Sequence, residues 1–179
     1  AMTSIIHNKN YSLGLEWTKI SQIPNDAKNF CVLRNPLDRA VSVYDQVMVK
    51  RLGDVGKRQN PKYKKIIQKI ASYNIISDRI TAYINEIKTN GFFDSHQFSQ
   101  VTYLSRPHSG RKIEMLDYFL NFSNLENELR KFLKIPDFKL AHLNKGGPKG
   151  YAKYFDQHRD EIEEMYKEDY DMYSKISKV

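Results

Sequence analysis

The fold is decided by residues 30–44, which read FCVLRNPLDRAVSVY. The first four residues, Phe30 to Leu33, are apolar, which is typical of an interior strand of a parallel sheet. Asn35 and Pro36 form an N-cap followed by a proline, whose missing N–H costs the first turn of a helix nothing. The stretch therefore predicts a strand that leads into a helix beginning at Pro36.

Two side chains at this junction are suited to hold an anionic group. Arg34 directly follows the strand, and its forked donors match the oxygen atoms of a phosphate. Ser42 lies on the helix, where its hydroxyl can add a hydrogen bond beside the free N–H groups of the first turn. In the alternative interpretation, Arg34 pairs with Asp38 or with the C-terminus of a helix, and Ser42 bonds a carbonyl one turn earlier.

The junction resembles the segment of sulfotransferases that binds the 3′-phosphate of the sulfate donor 3′-phosphoadenosine 5′-phosphosulfate (PAPS). That segment has the pattern Arg-(Asn/Asp)-Pro-x-x-Arg-x-x-Ser-x-Tyr. The matching residues are Arg34, Asn35, Pro36, Arg39, Ser42 and Tyr44. The most similar branch is the one that sulfates carbohydrates. The resemblance implies that Arg34 and Ser42 hold the 3′-phosphate and that Arg39 is a structural residue of the helix.

Two later segments extend the resemblance. Residues 116–129, LDYFLNFSNLENEL, are similar to the strand, turn and helix of the family. Residues 143–155 are similar to its glycine-bearing loop, which implies that Lys145 and Lys149 contact the donor's phosphates. The alternative is that these lysines belong to a mobile surface loop. The family's 5′-phosphosulfate loop, Pro-Lys-x-Gly-x-(Ser/Thr), is not recognisable in this sequence. Either this loop is missing, an unrecognised segment or a second chain supplies it, or the natural protein is longer.

Transfer of a sulfuryl group to a hydroxyl needs a group that takes the hydroxyl's proton, and histidine is suited to this at neutral pH. Residues 92–100, FFDSHQFSQ, resemble the Asp-x-His-x-x-x-Gln stretch of carbohydrate sulfotransferases, with Ser99 where the family has proline. The resemblance implies that His96 is the catalytic base and that Asp94 orients it. It also implies that Gln100 binds the acceptor or the sulfate. The alternative is that His96 only bonds the backbone of a loop.

The composition bounds the class of protein. A chain of 179 residues with 40% hydrophobic residues can bury one core, and no linker divides it, so we expect one domain over residues 1–179. The lone cysteine, Cys31, favours a reducing compartment. No apolar run is long enough to cross a bilayer, and no spacing of histidine, cysteine and carboxylates indicates a metal site. These observations favour a soluble protein. Family members that modify secreted glycans usually carry a membrane anchor, so the resemblance implies a cytoplasmic protein of bacterial or viral origin, or a trimmed domain.

Basic residues outnumber acidic ones, 29 against 21, and eight of them crowd residues 50–69. This basic segment favours an anionic partner such as an acidic polysaccharide, because opposite charges attract over long range. The alternative is the solvated face of an amphipathic helix. Nucleic acid is less favoured, because aromatic residues are not interleaved with the lysines.

Apolar residues at helical spacing predict a mainly helical chain. The stripes are Tyr63, Ile66, Ile67 and Ile70; Ile80, Tyr83, Ile84 and Ile87; Leu125, Leu129, Phe132 and Leu133; and, in one last helix, Ile162, Met165, Tyr166, Tyr170 and Tyr173. Ser123 and Glu126 have the spacing of a capping box that begins the third helix.

With the resemblance, these patterns predict an α/β sulfotransferase-like domain, related to P-loop folds, with a small parallel sheet and a helical majority. The predicted function is transfer of a sulfuryl group from PAPS to a hydroxyl, on a carbohydrate acceptor. The alternative is an inactive sulfotransferase-like protein that binds an anionic glycan or nucleotide.

Overall fold

The computed structural model describes residues 30–50, 61–104, 116–140 and 150–176. The predictions for Lys145 and Lys149 lie outside these residues. The described part is mostly helical with a two-stranded parallel sheet, so the predicted α/β class with a helical majority is confirmed. No helix within these ranges combines the length and the apolarity that crossing a bilayer requires.

The described residues form two strands and eight α-helices. These are β1 (Phe30–Leu33), α1 (Pro36–Tyr44), α2 (Pro61–Ala71), α3 (Ile76–Asn90), α4 (Gln100–Leu104), β2 (Tyr118–Asn121), α5 (Leu125–Leu133), α6 (Ala152–Phe155), α7 (Arg159–Met165) and α8 (Lys167–Ile176). A π-helical segment, Asp45–Lys50, continues α1. The first strand and the start of α1 at Pro36 agree with the sequence-based prediction, because both depend on local signals.

These elements fall into two compact units. Within the described part of the chain, unit 1 contains residues 30–35, 100–104, 116–140 and 171–176. Unit 2 contains residues 36–50, 61–99 and 150–170. The expectation of a single domain over the whole chain stays a prediction, and each unit is described by itself.

Unit 1 is built on the sheet. β1 pairs in parallel with β2, with Phe30 opposite Tyr118 and Leu33 opposite Asn121. The core beside the sheet contains the buried residues Leu120, Leu125, Leu129 and Phe138. Only Leu33 of β1 is buried, so β1 is less covered than the interior strand that its apolar run predicts. Among the described residues β1 has one neighbouring strand, which leaves its other edge without a strand partner there.

The beginning of α5 corrects a prediction. Ser123 is not the N-cap, because a 3₁₀ turn comes first and Asn124 occupies the cap position. The hydroxyl of Ser123 donates to Oδ1 of Asn121 at 2.7 Å. Glu126 accepts from the N–H of Leu140 at 3.0 Å instead of reaching back to the cap. Local polar side chains thus compete for the groups that a capping box would use.

Unit 2 packs the helical stripes into one core. Its buried side chains include Tyr44, Val47 and Met48, then Ile67 and Ile70, then Ile80, Tyr83, Ile84 and Ile87, and finally Phe155, Ile162 and Tyr166. The stripes predicted for α2 and α3 are therefore confirmed. Burying one large aliphatic or aromatic side chain stabilises a fold by about 1.5–3 kcal/mol, so this cluster is the main source of stability in unit 2.

The predicted last helix is two helices. α7 ends at Met165 and α8 begins at Lys167, and Tyr166 between them has non-helical angles of φ −118° and ψ 30°. Tyr166 is buried, and its hydroxyl donates to the carbonyl of Gln97 at 2.9 Å. A contact 69 residues away in sequence accompanies this break. Hydrophobic periodicity carries no information about such a contact.

We expect the protein to lose stability between pH 10 and pH 12. Burial raises the pKa of Tyr44 and of Tyr166 from 10.0 to about 12. The unfolded chain therefore releases these protons first, and the stability that is fully present below pH 10 is lost as the pH rises toward 12. A rise of about two in the pKa corresponds to roughly 2–3 kcal/mol, which is the upper limit for the contribution of Tyr44 and of Tyr166 to this loss.

Urea unfolding at pH 9, 10 and 11 measures this effect. Tyr44→Phe should reduce the pH dependence, because it removes one of the two titrating hydroxyls. It breaks no hydrogen bond among the described residues, since the buried hydroxyl of Tyr44 has no partner there. Tyr73→Phe is the control, because Tyr73 is exposed. A free energy of unfolding that stays constant over this pH range would contradict the prediction.

Candidate functional site

His96 lies in a 3₁₀ turn, Ser95–Gln97, that Asp94 caps. Oδ1 of Asp94 accepts from the backbone N–H of His96 at 2.9 Å and lies 2.7 Å from Nδ1 of the imidazole. Aspartate is favoured at such a cap because its short side chain reaches the free N–H groups of the first turn. The same carboxylate therefore caps the turn and orients the ring two residues later.

The contact with Asp94 determines the chemistry of the imidazole. An ionised carboxylate only accepts hydrogen bonds, so Nδ1 carries the hydrogen and Nε2 carries the lone pair in the neutral ring. The side chain of His96 is 45% exposed, whereas that of Asp94 is 12% exposed. A ring oriented by a sheltered carboxylate, and itself open to solvent, is the arrangement that a general base needs.

The loop that carries His96 is held from inside by Gln97, which is fully buried. Its Oε1 accepts from the N–H groups of Phe93 and Asp94, both at 2.8 Å. Its Nε2 donates to the hydroxyl of Tyr83 at 3.0 Å. Our sequence reasoning missed Gln97. The signal for it was the three-residue spacing of Asp94 and Gln97, which is that of a capping box and is confirmed as one.

Arg39 holds the same loop through its backbone. Its Nη2 donates to the carbonyls of His96, at 3.0 Å, and of Phe98. The guanidinium carbon lies 5.8 Å from the centre of the Tyr166 ring, within the range of a cation–π contact. Arg39 is therefore a structural residue, as predicted, and the backbone is fixed on both sides of Gln97. A loop fixed in this way presents His96 with little freedom.

A second histidine of unit 2 is in a different environment. Nε2 of His158 lies 2.9 Å from the hydroxyl of Thr81, and Nδ1 lies 3.4 Å from the carboxylate of Glu161. Hydrogen bonds from its own backbone N–H and from His158 lower the pKa of Glu161. The side chain of His158 is only 14% exposed. These contacts are those of a half-buried histidine that joins two helices, so His96 is the better candidate for a base.

Arg34 lies at the carboxyl end of β1 in unit 1. Its guanidinium carbon is 4.9 Å from the centre of the Phe122 ring, which follows β2. The side chain of Gln100 makes two hydrogen bonds to the main chain of Arg34. Its Oε1 accepts from the N–H of Arg34, and its Nε2 donates to the carbonyl of Arg34, each at 2.9 Å. The structure thus brings Arg34 and Gln100 together. Because the amide of Gln100 is engaged with the chain, its role in acceptor binding stays a prediction.

The other predicted site residues are less informative. Ser42 is half-buried on α1 and belongs to unit 2, whereas Arg34 belongs to unit 1, so their joint grip on a phosphate stays a prediction from the sequence. Of the basic segment, Lys64, Lys65 and Lys69 are exposed on α2. Among the described residues, no three histidine, cysteine or carboxylate side chains are grouped so as to hold a metal ion.

Comparison with known proteins gives no indication of the function, so the arrangement of the site residues must be considered by itself. No family model, curated protein or solved structure matches the chain. The described residues include two groups suited to chemistry or binding, one that can accept a proton and one that can bind an anion. One is the oriented imidazole of His96 in unit 2, and the other is the guanidinium of Arg34 at the carboxyl end of β1 in unit 1.

Proposed function

We propose that the protein transfers a sulfuryl group from PAPS to a hydroxyl of a carbohydrate. The observation that carries the proposal is the 2.7 Å contact between Oδ1 of Asp94 and Nδ1 of the half-exposed His96. Nε2 of His96 takes the proton of the acceptor hydroxyl while the oxygen forms its bond to sulfur. The bond between sulfur and the 5′-phosphate oxygen breaks, and adenosine 3′,5′-bisphosphate leaves.

The donor side of the proposal rests on Arg34. In open α/β sheets, ligands bind at the carboxyl ends of the strands, and Arg34 lies at this end of β1. A guanidinium matches a phosphate with two parallel hydrogen bonds, so this residue fits the 3′-phosphate of PAPS. The sequence resemblance adds Ser42, Lys145 and Lys149 to the donor site, within a sulfotransferase-like fold. It also leaves the 5′-phosphosulfate loop to an unrecognised segment or a second chain.

We expect Arg34→Ala to weaken the binding of adenosine 3′,5′-bisphosphate at least tenfold. A hydrogen bond to a charged group contributes about 1.5–3 kcal/mol, and about 1.4 kcal/mol corresponds to a factor of ten. Calorimetric titration of the wild type and the variant measures this change. Lys131→Ala is the matched control, because it removes an exposed positive charge of unit 1 that lies on α5. Equal affinity of the wild type and Arg34→Ala would count against the donor site.

Turnover is tested with PAPS that carries radioactive sulfate and a panel of neutral and acidic oligosaccharides. Transfer of the label above the rate without protein would support the proposal. Binding of the bisphosphate without transfer to any acceptor would favour the alternative, in which the protein binds an anionic nucleotide or glycan and does not turn it over. If the protein neither binds the bisphosphate nor transfers the label, both the proposed transfer and the inactive alternative are contradicted.

A further inference from the structure

We propose that Gln100 and Phe122 are positioning residues for Arg34, so that both act on the donor and neither on the acceptor. The inference rests on the proposed function, in which Arg34 binds the 3′-phosphate of PAPS. It gives Gln100 a different role from the one that the sequence resemblance implies. All three residues belong to unit 1.

Gln100 binds the peptide groups of Arg34 much as a neighbouring strand would. Its two hydrogen bonds, each 2.9 Å long, satisfy both the N–H and the carbonyl of Arg34. The two residues are 66 positions apart in sequence, so the contact is tertiary. A side-chain amide supplies one acceptor and one donor, which is the combination that this pair of groups requires. Gln100 therefore fixes the main chain at the point where Arg34 leaves β1.

Phe122 holds the other end of the same residue. It is the first residue of the turn after β2. Because the two strands pair in parallel, Phe122 and Arg34 both follow the carboxyl ends of their strands. The distance of 4.9 Å from the guanidinium carbon to the ring centre is that of a cation–π contact. A guanidinium that lies over a ring keeps its N–H groups in its own plane, where they can meet phosphate oxygens.

Fixing both ends of Arg34 has a consequence for affinity. A long arginine side chain loses rotamer freedom when it binds an anion, and this loss weakens binding. When the protein has already restricted the side chain, less freedom is lost on binding, so affinity rises. Gln100 and Phe122 therefore strengthen binding of the 3′-phosphate without touching it.

The test compares two ligands that differ only in the 3′-phosphate, adenosine 3′,5′-bisphosphate and adenosine 5′-monophosphate. The ratio of their dissociation constants measures what the 3′-phosphate contributes to binding. We expect Arg34→Ala to remove most of this ratio. Gln100→Ala and Phe122→Leu should lower it roughly three- to tenfold, with the affinity for the monophosphate unchanged. In the Arg34→Ala background, Gln100→Ala should have no further effect, because its only route to the phosphate is gone.

Each other outcome overturns the inference in a distinguishable way. If Arg34→Ala lowers the ratio and neither Gln100→Ala nor Phe122→Leu does, the positioning role is wrong and the proposed donor site stands. A raised KM for the acceptor in Gln100→Ala, at an unchanged ratio, would return Gln100 to acceptor binding. A wild-type ratio of one would contradict the proposed donor site as well. Phe122 is 38% exposed, so Phe122→Leu keeps the test decisive if Gln100→Ala does not fold.

Discussion

His96→Asn is expected to lower the rate of sulfuryl transfer by a factor of about 10² to 10⁴, which is the usual contribution of a general base. The asparagine amide has no nitrogen lone pair with which to take the proton of the acceptor hydroxyl. Donor affinity should stay close to that of the wild type, because His96 acts on the acceptor in this proposal. The measurements are kcat at saturating PAPS and the dissociation constant of adenosine 3′,5′-bisphosphate.

Two further variants show whether the loss is specific to the Asp94–His96 pair. Asparagine caps a helical turn about as well as aspartate, so Asp94→Asn should keep the turn while it removes the negative charge beside Nδ1. We expect kcat to fall in this variant, though less than in His96→Asn. His158→Gln is the matched histidine control, since His158 joins two helices and should leave kcat unchanged. A wild-type kcat in His96→Asn would show that another group takes the proton.

The predictable parts of this chain are those with local causes. The apolar run before Arg34 and the proline after Asn35 indicate a strand and a helix without reference to the rest of the fold, and both are present. The contact of Asp94 with His96 is likewise local, because a capping carboxylate reaches only the next two or three residues. The resemblance implied that Asp94 orients His96, and the two side chains are in contact.

The unpredictable parts depend on distant partners. The role of Gln100 at the acceptor or the sulfate stays a prediction, but the contact of its amide with the main chain of Arg34, 66 positions earlier, had no local signal. The last helix is broken at Tyr166, whose hydroxyl reaches Gln97, and no periodic pattern records such a contact. Ser123 has the spacing of an N-cap, but the side chain of Asn121 takes its hydroxyl. At Tyr166 and at Ser123, a specific hydrogen bond outweighs a weak local preference.

Gln97→Leu is expected to cost the most stability of the variants considered, roughly 2–5 kcal/mol in the free energy of unfolding. Leucine is similar in size but supplies neither an acceptor for the N–H groups of Phe93 and Asp94 nor a donor for the hydroxyl of Tyr83. Buried polar groups that lose their partners pay the cost of leaving water without compensation. Urea unfolding measures the change.

The control for Gln97→Leu is Gln68→Leu, because Gln68 is exposed on α2 in the same unit. A surface substitution of this kind changes the free energy of unfolding by about 0.5 kcal/mol or less. If the two variants had equal stability, the hydrogen bonds of Gln97 would not hold the loop. If Gln97→Leu is less stable and also turns over more slowly at a temperature where it is folded, then the same bonds that stabilise unit 2 also orient His96. The stability of the loop and the proposed chemistry would then have one physical cause, the buried amide of Gln97.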